Sequence, residues 1–445
     1  MAEKKYVILE DKETTDSLIP HLKTSKLLEL QSGDKVLLSF GATTREITII
    51  LSNQISPHHF AVSSEVIGSL KIPLTCRYEL YKIGNKLLLG PFIGILFNTN
   101  NPNLSQGLSA YVRDYQTIGG AIITFSLKNI NKKTRMIKGY LYNPIREQWE
   151  SGTFRLPACL LVLLPRLPKK WMNFFKINFH NRYFNSIVFN KWDMYRWLKS
   201  NQNIKPYLPK TALYHKPDDI SQFMKSNDIS SVYLKPIRGV QGKGIRRFDV
   251  IDGCVSATYR LVNENVTETF RNFKQVLPYL QDELLPGNYI IQQTLDLEII
   301  DGHIVDFRVM LAKNQSADWI VIGMFGKVAS SGSIVSNYER GGEVKPARNV
   351  LKKIYQFSDQ QIDEFQKKIF QLAVSAAQSI DSLGTMNMGR YGLDIAIDRH
   401  RNIWLIEMNG YPDDRFPLYA GLPELFYDAK RTQILYAKRL AGFTS

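Results

Sequence analysis

The stretch Gly392-Leu-Asp-Ile-Ala-Ile-Asp-Arg-His-Arg-Asn-Ile-Trp-Leu-Ile-Glu-Met-Asn409 reads as two strands joined by a turn. Asp394 is expected to start the first strand, and Glu407 and Asn409 to end the second. Strand residues two apart share a face, so Glu407 and Asn409 point the same way. Asp394 lies 13 positions before Glu407, as a hairpin partner should. Two carboxylates and a carboxamide on one face make a hard-oxygen site suited to Mg2+ holding phosphate oxygens. The competing reading has Asp394 capping a turn and Glu407 as a strand-end surface charge. An acid embedded in Trp404-Leu-Ile-Glu-Met408 is costly to bury unpaired, which favours the oxygen site.

Upstream, Val232-Tyr-Leu-Lys-Pro-Ile-Arg-Gly-Val-Gln-Gly-Lys-Gly-Ile245 is a strand ending at Lys235-Pro236, followed by a loop carrying Gly239, Gly242, Lys243 and Gly244. Glycines let a backbone approach phosphate closely and aim N–H groups at it. No Ser or Thr follows a Gly-Lys pair as a Walker loop requires, and the GxxGxG spacing is not the dinucleotide-binding fingerprint. Taken alone, the loop reads equally as a plain glycine turn.

From about Ser186 onward strands and helices alternate. The clearest helix is Asp359 to Leu383. Ser358 and Gln361 form a capping box, Ile362, Phe365, Ile369, Leu372, Ala373, Ala376 and Ile380 make one apolar stripe, and Gly384 ends it. Residues 90–185 read as a small α/β unit with parallel strands: Pro91–Phe97, Ala121–Phe125 and Cys159–Leu164, with helical spacing over Leu108–Ile118. Residues 1–89 are short β-branched runs, Tyr6–Leu9, Lys35–Phe40, Glu46–Leu51, Cys76–Ile83 and Lys86–Leu89, and fit a small β-rich, barrel-like domain. No internal repeat stands out.

Length and composition bound the function. The 445 residues suggest about two to four domains. Ordinary apolar content excludes a disordered or fibrous chain. The longest apolar run, Leu156–Pro165, is half a membrane span and is bracketed by Arg155 and Arg166. No signal-peptide core follows Met1, so a cytoplasmic protein is expected. Cys76, Cys159 and Cys254 are scattered, which argues against a disulfide framework or structural zinc. The net charge is +16, and residues 126–216 carry 18 Lys/Arg against Glu147, Glu150 and Asp193. That concentration reads either as a basic face for a polyanion or as a solvated surface, and no nucleic-acid-binding signature accompanies it.

The glycine loop and the acidic hairpin, in this order, resemble the ATP-grasp superfamily. Between them, Tyr289-Ile-Ile-Gln-Gln-Thr-Leu295 resembles the strand leading into an adenine-binding hinge. Asp306-Phe-Arg308 and Asn337-Tyr-Glu-Arg-Gly-Gly342 resemble segments of the ribosomal-protein glutamate ligases. Phe189-Asn-Lys-Trp192, Leu208-Pro-Lys-Thr211, Leu234-Lys-Pro236, Asp306–Arg308 and Glu407-Met-Asn409 are similar to the YheC/YheD family of endospore coat-associated proteins, as are Ser63-Ser-Glu-Val66 and Leu70-Lys-Ile-Pro73.

The resemblance implies an α/β (α+β) ATP-grasp fold over 186–445, preceded by the β-rich domain at 1–89 and the small α/β domain at 90–185. It implies ATP with two Mg2+ ions as cofactors. Lys191 and Lys235 would hold the nucleotide phosphates from two strands, with Gly239, Gly242, Lys243 and Gly244 closing over them. Gln292, Gln293, Thr294 and Leu295 would offer backbone groups to adenine, so that side-chain identity there matters little. Glu298 or Asp296 would reach the ribose. Asp394, Glu407 and Asn409 would bind Mg2+, and Arg308 would lie near the transferred phosphoryl group. Arg340, with Gly341, Gly342, Arg348 and Arg415, is a candidate for holding the substrate carboxylate. The Asn409-Gly-Tyr-Pro-Asp-Asp-Arg415 segment departs from the small-residue loop of the glutamate ligases, which argues against glutamate as substrate.

The implied reaction joins a carboxylate to an amine through an acyl-phosphate, with a spore-coat peptide or an acidic protein as a candidate partner and the mother-cell cytoplasm or spore coat as the location. No membrane or nucleic-acid partner is implied. Two other readings stay open: a structural coat protein that keeps the fold, and a kinase with a hydroxyl acceptor.

Overall fold

Strands β1 (Tyr6–Asp11), β2 (Ser17–Pro20), β3 (Lys35–Phe40), β4 (Thr43–Ile49), β5 (His59–Ser63), β6 (Arg77–Ile83) and β7 (Lys86–Gly90) close into a barrel in the order β1-β5-β2-β4-β3-β7-β6. The structure is a computed structural model that describes residues 5–98, 101–239, 243–261, 264–281, 284–297, 299–300, 303–329 and 342–443. Helices α1 (Leu22–Leu27) and α2 (Ser64–Leu70) follow β2 and β5. Leu18, Leu38, Phe40, Phe60, Val62 and Leu87 are fully buried within the barrel cluster, so its alternating strands turn their apolar faces inward. A repeat that the sequence does not display is present in the pairing. The parallel pair β1–β5 is matched by β4–β2, and the antiparallel pair β1–β6 by β4–β3. Two strand–strand–helix–strand units are thus related by a pseudo-twofold, with β7 inserted between β3 and β6.

The second sheet contains β8 (Phe92–Leu96), β9 (Ala121–Phe125), β10 (Ile130–Asn131), β11 (Met136–Asn143), β12 (Gln148–Arg155), β13 (Cys159–Val162) and β14 (Tyr183–Phe184). The expected parallel strands β8, β9 and β13 are adjacent. The antiparallel hairpin β11–β12 is an addition that sequence reading did not foresee. The helix expected over 108–118 is divided into α3 (Gln106–Ser109) and α4 (Tyr115–Ile118). Its spacing still buries Leu108, Tyr111, Val112, Tyr115 and Ile118, but the intervening bonds tighten to i→i+3, as from Tyr111 N–H to Leu108 and from Val112 N–H to Ser109. Helix α5 (Lys169–Phe179) packs Trp171, Phe175 and Phe179 inward.

Two antiparallel sheets complete the chain. One runs β15-β20-β16-β17-β18-β19 through β15 (Thr211–Tyr214), β16 (Ser231–Pro236), β17 (Arg246–Ile251), β18 (Cys254–Leu261), β19 (Glu264–Phe270) and β20 (Tyr289–Gln293). It shares a core with α7 (Asp218–Asn227) and α8 (Phe273–Gln281). The other runs β24-β23-β22-β25-β26, with β21 (Ile299–Ile300), β22 (His303–Lys313), β23 (Trp319–Val328), β24 (Glu343–Pro346), β25 (Arg390–Ile397) and β26 (Ile403–Asn409). Its core includes α6 (Lys191–Lys199), α9 (Ala347–Tyr355) and α10 (Asp359–Asp381). The capping box of α10 is present in both directions. The helix stops two residues before the expected Leu383, and Gly384 then takes φ 63°.

After α11 (Phe416–Tyr419), α12 (Pro423–Leu440) crosses back onto the second sheet, setting Ile434 and Ala437 among Ile93, Ile95, Cys159 and Leu161. A fully buried ion pair, Lys438 Nζ to Glu79 Oε1 at 2.7 Å, ties α12 to the barrel. Gly90 must be glycine for this docking, because a Cβ there would come within 2.6 Å of the Phe443 ring.

Candidate functional site

Strand register brings the predicted acids together. Asp394 pairs with Glu407 across β25–β26, and Arg308 pairs with Asp394 across β22–β25, so one row runs over three strands. Asn409 is two positions from Glu407 and pairs with Gly392. Asp394 is the fifth residue of β25 rather than its first, since the strand begins at Arg390.

Asp394 is the charge centre. Arg308 grips it bidentately, Nε to Oδ1 at 2.8 Å and Nη2 to Oδ2 at 3.2 Å. Lys327, on β23, donates to Asp394 Oδ1 at 3.1 Å and lies 3.0 Å from Asp306 Oδ2. All four groups are buried. Burial opposes ionisation of Asp394, but Arg308 and Lys327 outweigh it and hold the carboxyl well below the usual carboxylate range. Burial likewise opposes the charge of Lys327, yet Asp306 and Asp394 raise its ammonium above the ordinary lysine value.

Sequence reading missed Lys327. A lysine in the apolar run Met324-Phe-Gly-Lys-Val328 was the available signal, since unpaired burial would be costly there. Gly392 was quoted but given no role. A Cβ there would meet Pro412 at 2.7 Å and Arg308 Nη1 at 3.2 Å, so glycine is what lets the post-Asn409 loop and the Arg308 guanidinium close in.

Lys191 stands at the first position of α6, not on a strand, behind an Asn190 cap that accepts from Asp193 N–H at 2.9 Å. Its backbone N–H donates to Ile237 O at 3.2 Å and its ammonium to Gly239 O at 3.0 Å, 3.2 Å from Glu407 Oε1. One residue therefore ties the glycine loop to the acidic hairpin. Lys235, one residue before the end of β16, donates to Gln292 Oε1 at 2.6 Å. Its burial lowers the ammonium to about 8, with Glu407 opposing that shift and Lys191 adding to it. β16 and β17 form a hairpin around the glycine loop, with Gly244 at φ 73° and Lys243 beside it, while Gly242 lies outside the described residues.

The hinge differs from expectation. Gln292 is buried, and its side chain links Lys235 to Thr211 Oγ1, the latter at 3.1 Å. Its side-chain identity therefore matters. The N–H groups of Gln293 and Thr294 already donate to Lys210 O and Ser231 O, and Leu295 O accepts from Leu297. Asp296 faces Arg399 at 3.4 Å, and Glu298 lies outside the described residues.

On the substrate side, Arg340 and Gly341 lie outside the described residues. Gly342 immediately precedes β24. Arg348 is not gathered into this cluster: it pairs with Asp359 and Asp363 at the exposed start of α10. Arg415 is exposed and held by Asp413 at 2.9 Å. Arg308 also stacks 4.7 Å above the Phe416 ring centre, which fixes its remaining freedom.

The donor set fits a Mg2+–phosphate group. Asp394 is held ionised, Glu407 is its cross-strand neighbour, and Asn409 adds a neutral oxygen. Among the described residues no three His, Cys, Asp or Glu side chains form a self-contained metal cage. Mg2+ takes one or two carboxylates and completes its shell with substrate phosphates and water, and the cross-strand pair Asp394 and Glu407 supplies two.

Residues 180–440 match the YheC/D-like ATP-grasp family. Endospore coat-associated protein YheD of Bacillus subtilis (strain 168) is 26% identical over 465 residues, spanning 99% of this chain and 97% of that protein. Endospore coat-associated protein YheC of the same organism is 22% identical over 260 residues, spanning 56% and 68%. Among solved structures, N5-carboxyaminoimidazole synthase from Aspergillus clavatus aligns at 11% identity and a TM-score of 0.45, covering 77% of this chain and 76% of that one. ATP-grasp proteins are ATP-dependent ligases that bind ATP and Mg2+. Its match across the whole span of the glycine loop, the cation–carboxylate row and the acidic hairpin makes this chain a member of the YheC/D-like ATP-grasp family.

Proposed function

We propose that the chain is a Mg2+- and ATP-dependent carboxylate–amine ligase working through an acyl-phosphate. The observation that carries this reading is the charge count of the cluster. Among the described residues, Lys191, Lys235, Arg308 and Lys327 face Asp306, Asp394 and Glu407, which leaves one surplus positive charge. ATP with two Mg2+ ions adds no net charge, so an anionic substrate completes the balance. A carboxylate meets that need and a neutral hydroxyl acceptor does not, which favours a ligase over a kinase.

In this reading Lys191 and Lys235 hold the phosphates beneath the glycine loop. Arg308 and Lys327, already desolvated and fixed by Asp394 and Asp306, orient the substrate carboxylate and face the charge that develops on the transferred group. The carboxylate oxygen attacks the γ-phosphorus and ADP leaves. The amine then attacks the acyl carbon, inorganic phosphate leaves, and the nitrogen loses its proton. Bound Mg2+ supplies charge neutralisation at the phosphate oxygens. No protein nucleophile is needed, and Cys159 is unsuited to be one: it is fully buried, and burial pushes its thiol up.

The divisions at 89/90 and 185/186 belong to this proposal, as does the assignment of Arg340 and Glu298 to carboxylate and ribose. The relatives' names favour a coat-associated peptide or protein as substrate and the mother-cell cytoplasm or coat as location. Among the described residues no helix is long and apolar enough to cross a membrane. Those names also favour the alternative of a purely structural coat component.

Incubation with Mg2+-ATP, a panel of carboxylates and hydroxylamine tests the proposal. A hydroxamate with stoichiometric ADP is the expected product. ADP release onto hydroxyl acceptors without hydroxamate would establish a kinase, and no nucleotide binding by the folded protein would leave the structural role.

A further inference from the structure

Six of the eighteen Lys and Arg side chains of residues 126–216 lie together on one turn and the helix it touches. The β10–β11 turn carries Lys132, Lys133 and Arg135, and α5 carries Lys169, Lys170 and Lys176, all exposed. The turn is fastened to the helix. Lys132 Nζ donates to Lys170 O at 3.2 Å and stands 4.1 Å from the Trp171 ring centre. Some surface cations elsewhere have acidic partners, as Arg196 has Asp193 and Arg348 has Asp359. Among the described residues none of these six has a carboxylate within ion-pair distance. The local sequence supplies none: between 126 and 192 the only acids are Glu147 and Glu150, and Glu150 is engaged by Arg146 at 3.1 Å. Concentrated like charge without internal compensation attracts an external polyanion.

We propose that this face is a docking surface for an acidic polypeptide. Two features select that occupant. Met172 and Ile177 are 41% and 57% exposed among these lysines and offer apolar contact that a polypeptide's side chains can use. Of the four aromatic residues of α5, Trp171, Phe175 and Phe179 are buried and Phe174 is partly buried against the same core, so the helix lacks the fully outward aromatic face that anchors an interfacial helix in a lipid surface. The inference goes beyond the ligase reading and does not depend on it.

The test uses the full chain and fluorescein-labelled poly(Glu,Tyr), followed by anisotropy. Poly-glutamate, a single-stranded RNA of equal charge and anionic vesicles serve as competitors. Saturable binding that weakens with added salt is expected, with poly(Glu,Tyr) outcompeting the other three. The fourfold variant Lys133→Glu, Lys169→Glu, Lys170→Glu, Lys176→Glu should lose at least tenfold in affinity while its melting temperature and Mg2+-ATP binding stay unchanged. Lys132 is left in place because it stacks on Trp171. Ile177→Ser should abolish the preference for poly(Glu,Tyr) over poly-glutamate. Absent binding, or equal binding by the fourfold variant, overturns the docking surface. Tighter binding of RNA or vesicles overturns the polypeptide assignment.

Discussion

With Lys235 holding the nucleotide phosphates as proposed, affinity is expected to fall with rising pH by a calculable amount. Burial lowers its ammonium from 10.5 to about 8 in the ligand-free protein. A polyphosphate set against Lys235 and Lys191 restores the proton's hold towards the ordinary lysine value. Above pH 8 the free protein loses a charge that the complex retains, so binding takes up a proton. Affinity is then complete below pH 8 and falls by up to tenfold per unit above it. Between pH 7 and pH 9.5 the loss is about 30-fold, or about 2 kcal/mol. Stability of the ligand-free fold moves oppositely. Between about pH 8 and 10.5 the unfolded lysine binds more protons than the folded one, so this group's contribution to stability rises with pH. The assay is calorimetric binding of a non-hydrolysable ATP analogue at fixed Mg2+, for wild type and Lys235→Met. The variant should bind weakly at pH 7 and show no further decline. A flat wild-type profile, or the same slope in Lys235→Met, refutes the reasoning.

Removing Asp394 and removing Glu407 should differ. Asp394→Ala leaves Arg308 and Lys327 buried without their shared counter-ion and should cost about 3–5 kcal/mol by chemical denaturation, besides abolishing turnover. Glu407→Ala loosens only a partly exposed pair with Lys191; it should stay folded within about 1 kcal/mol while Mg2+-dependent ATP binding disappears in calorimetry. Gly392→Ala forces a methyl against Pro412 and Arg308, and a loss of about 1–3 kcal/mol is expected in thermal melts. Lys438→Met strands Glu79 in the barrel interface and should lower stability by about 3–5 kcal/mol, with Glu79→Leu in the same chain recovering most of it.

What was legible in the sequence is what local periodicity encodes. Five of the seven barrel strands, the capped helix α10 and the hairpin holding Asp394 and Glu407 follow from alternation, helical spacing and caps, whereas the short strands β2 and β5 do not. Partners distant in sequence were not legible. Lys327 looks like a solvent-facing lysine until β22 and β25 set Asp306 and Asp394 beside it, the latter 67 positions away. The barrel's pseudo-twofold lies in strand pairing and leaves no matching residue pattern. Lys191 was placed on a strand although Asn190, with Asp193 three residues later, carries a helix-start signal. Gln292 was discounted because hinge recognition was assigned to backbone groups, whereas its side chain is the link between Lys235 and Thr211.

The arrangement around Asp394 also explains why a binding site for polyanions can be built inside a folded core without collapsing. Two cations with no counter-ion would carry the full desolvation penalty of buried charge. Asp394 and Asp306 offset that penalty while keeping Arg308 and Lys327 protonated and fixed in direction. A carboxylate has about four lone-pair positions. Arg308 takes two of those on Asp394 and Lys327 a third, which leaves one on Oδ2. The same carboxylate can therefore anchor both cations and still give an oxygen to a metal. Glu407, less buried and held by one lysine, retains more of its coordinating capacity. The two acids of the hairpin thus differ in role: Asp394 sustains the buried charge row, and Glu407 is the more open candidate ligand beside it.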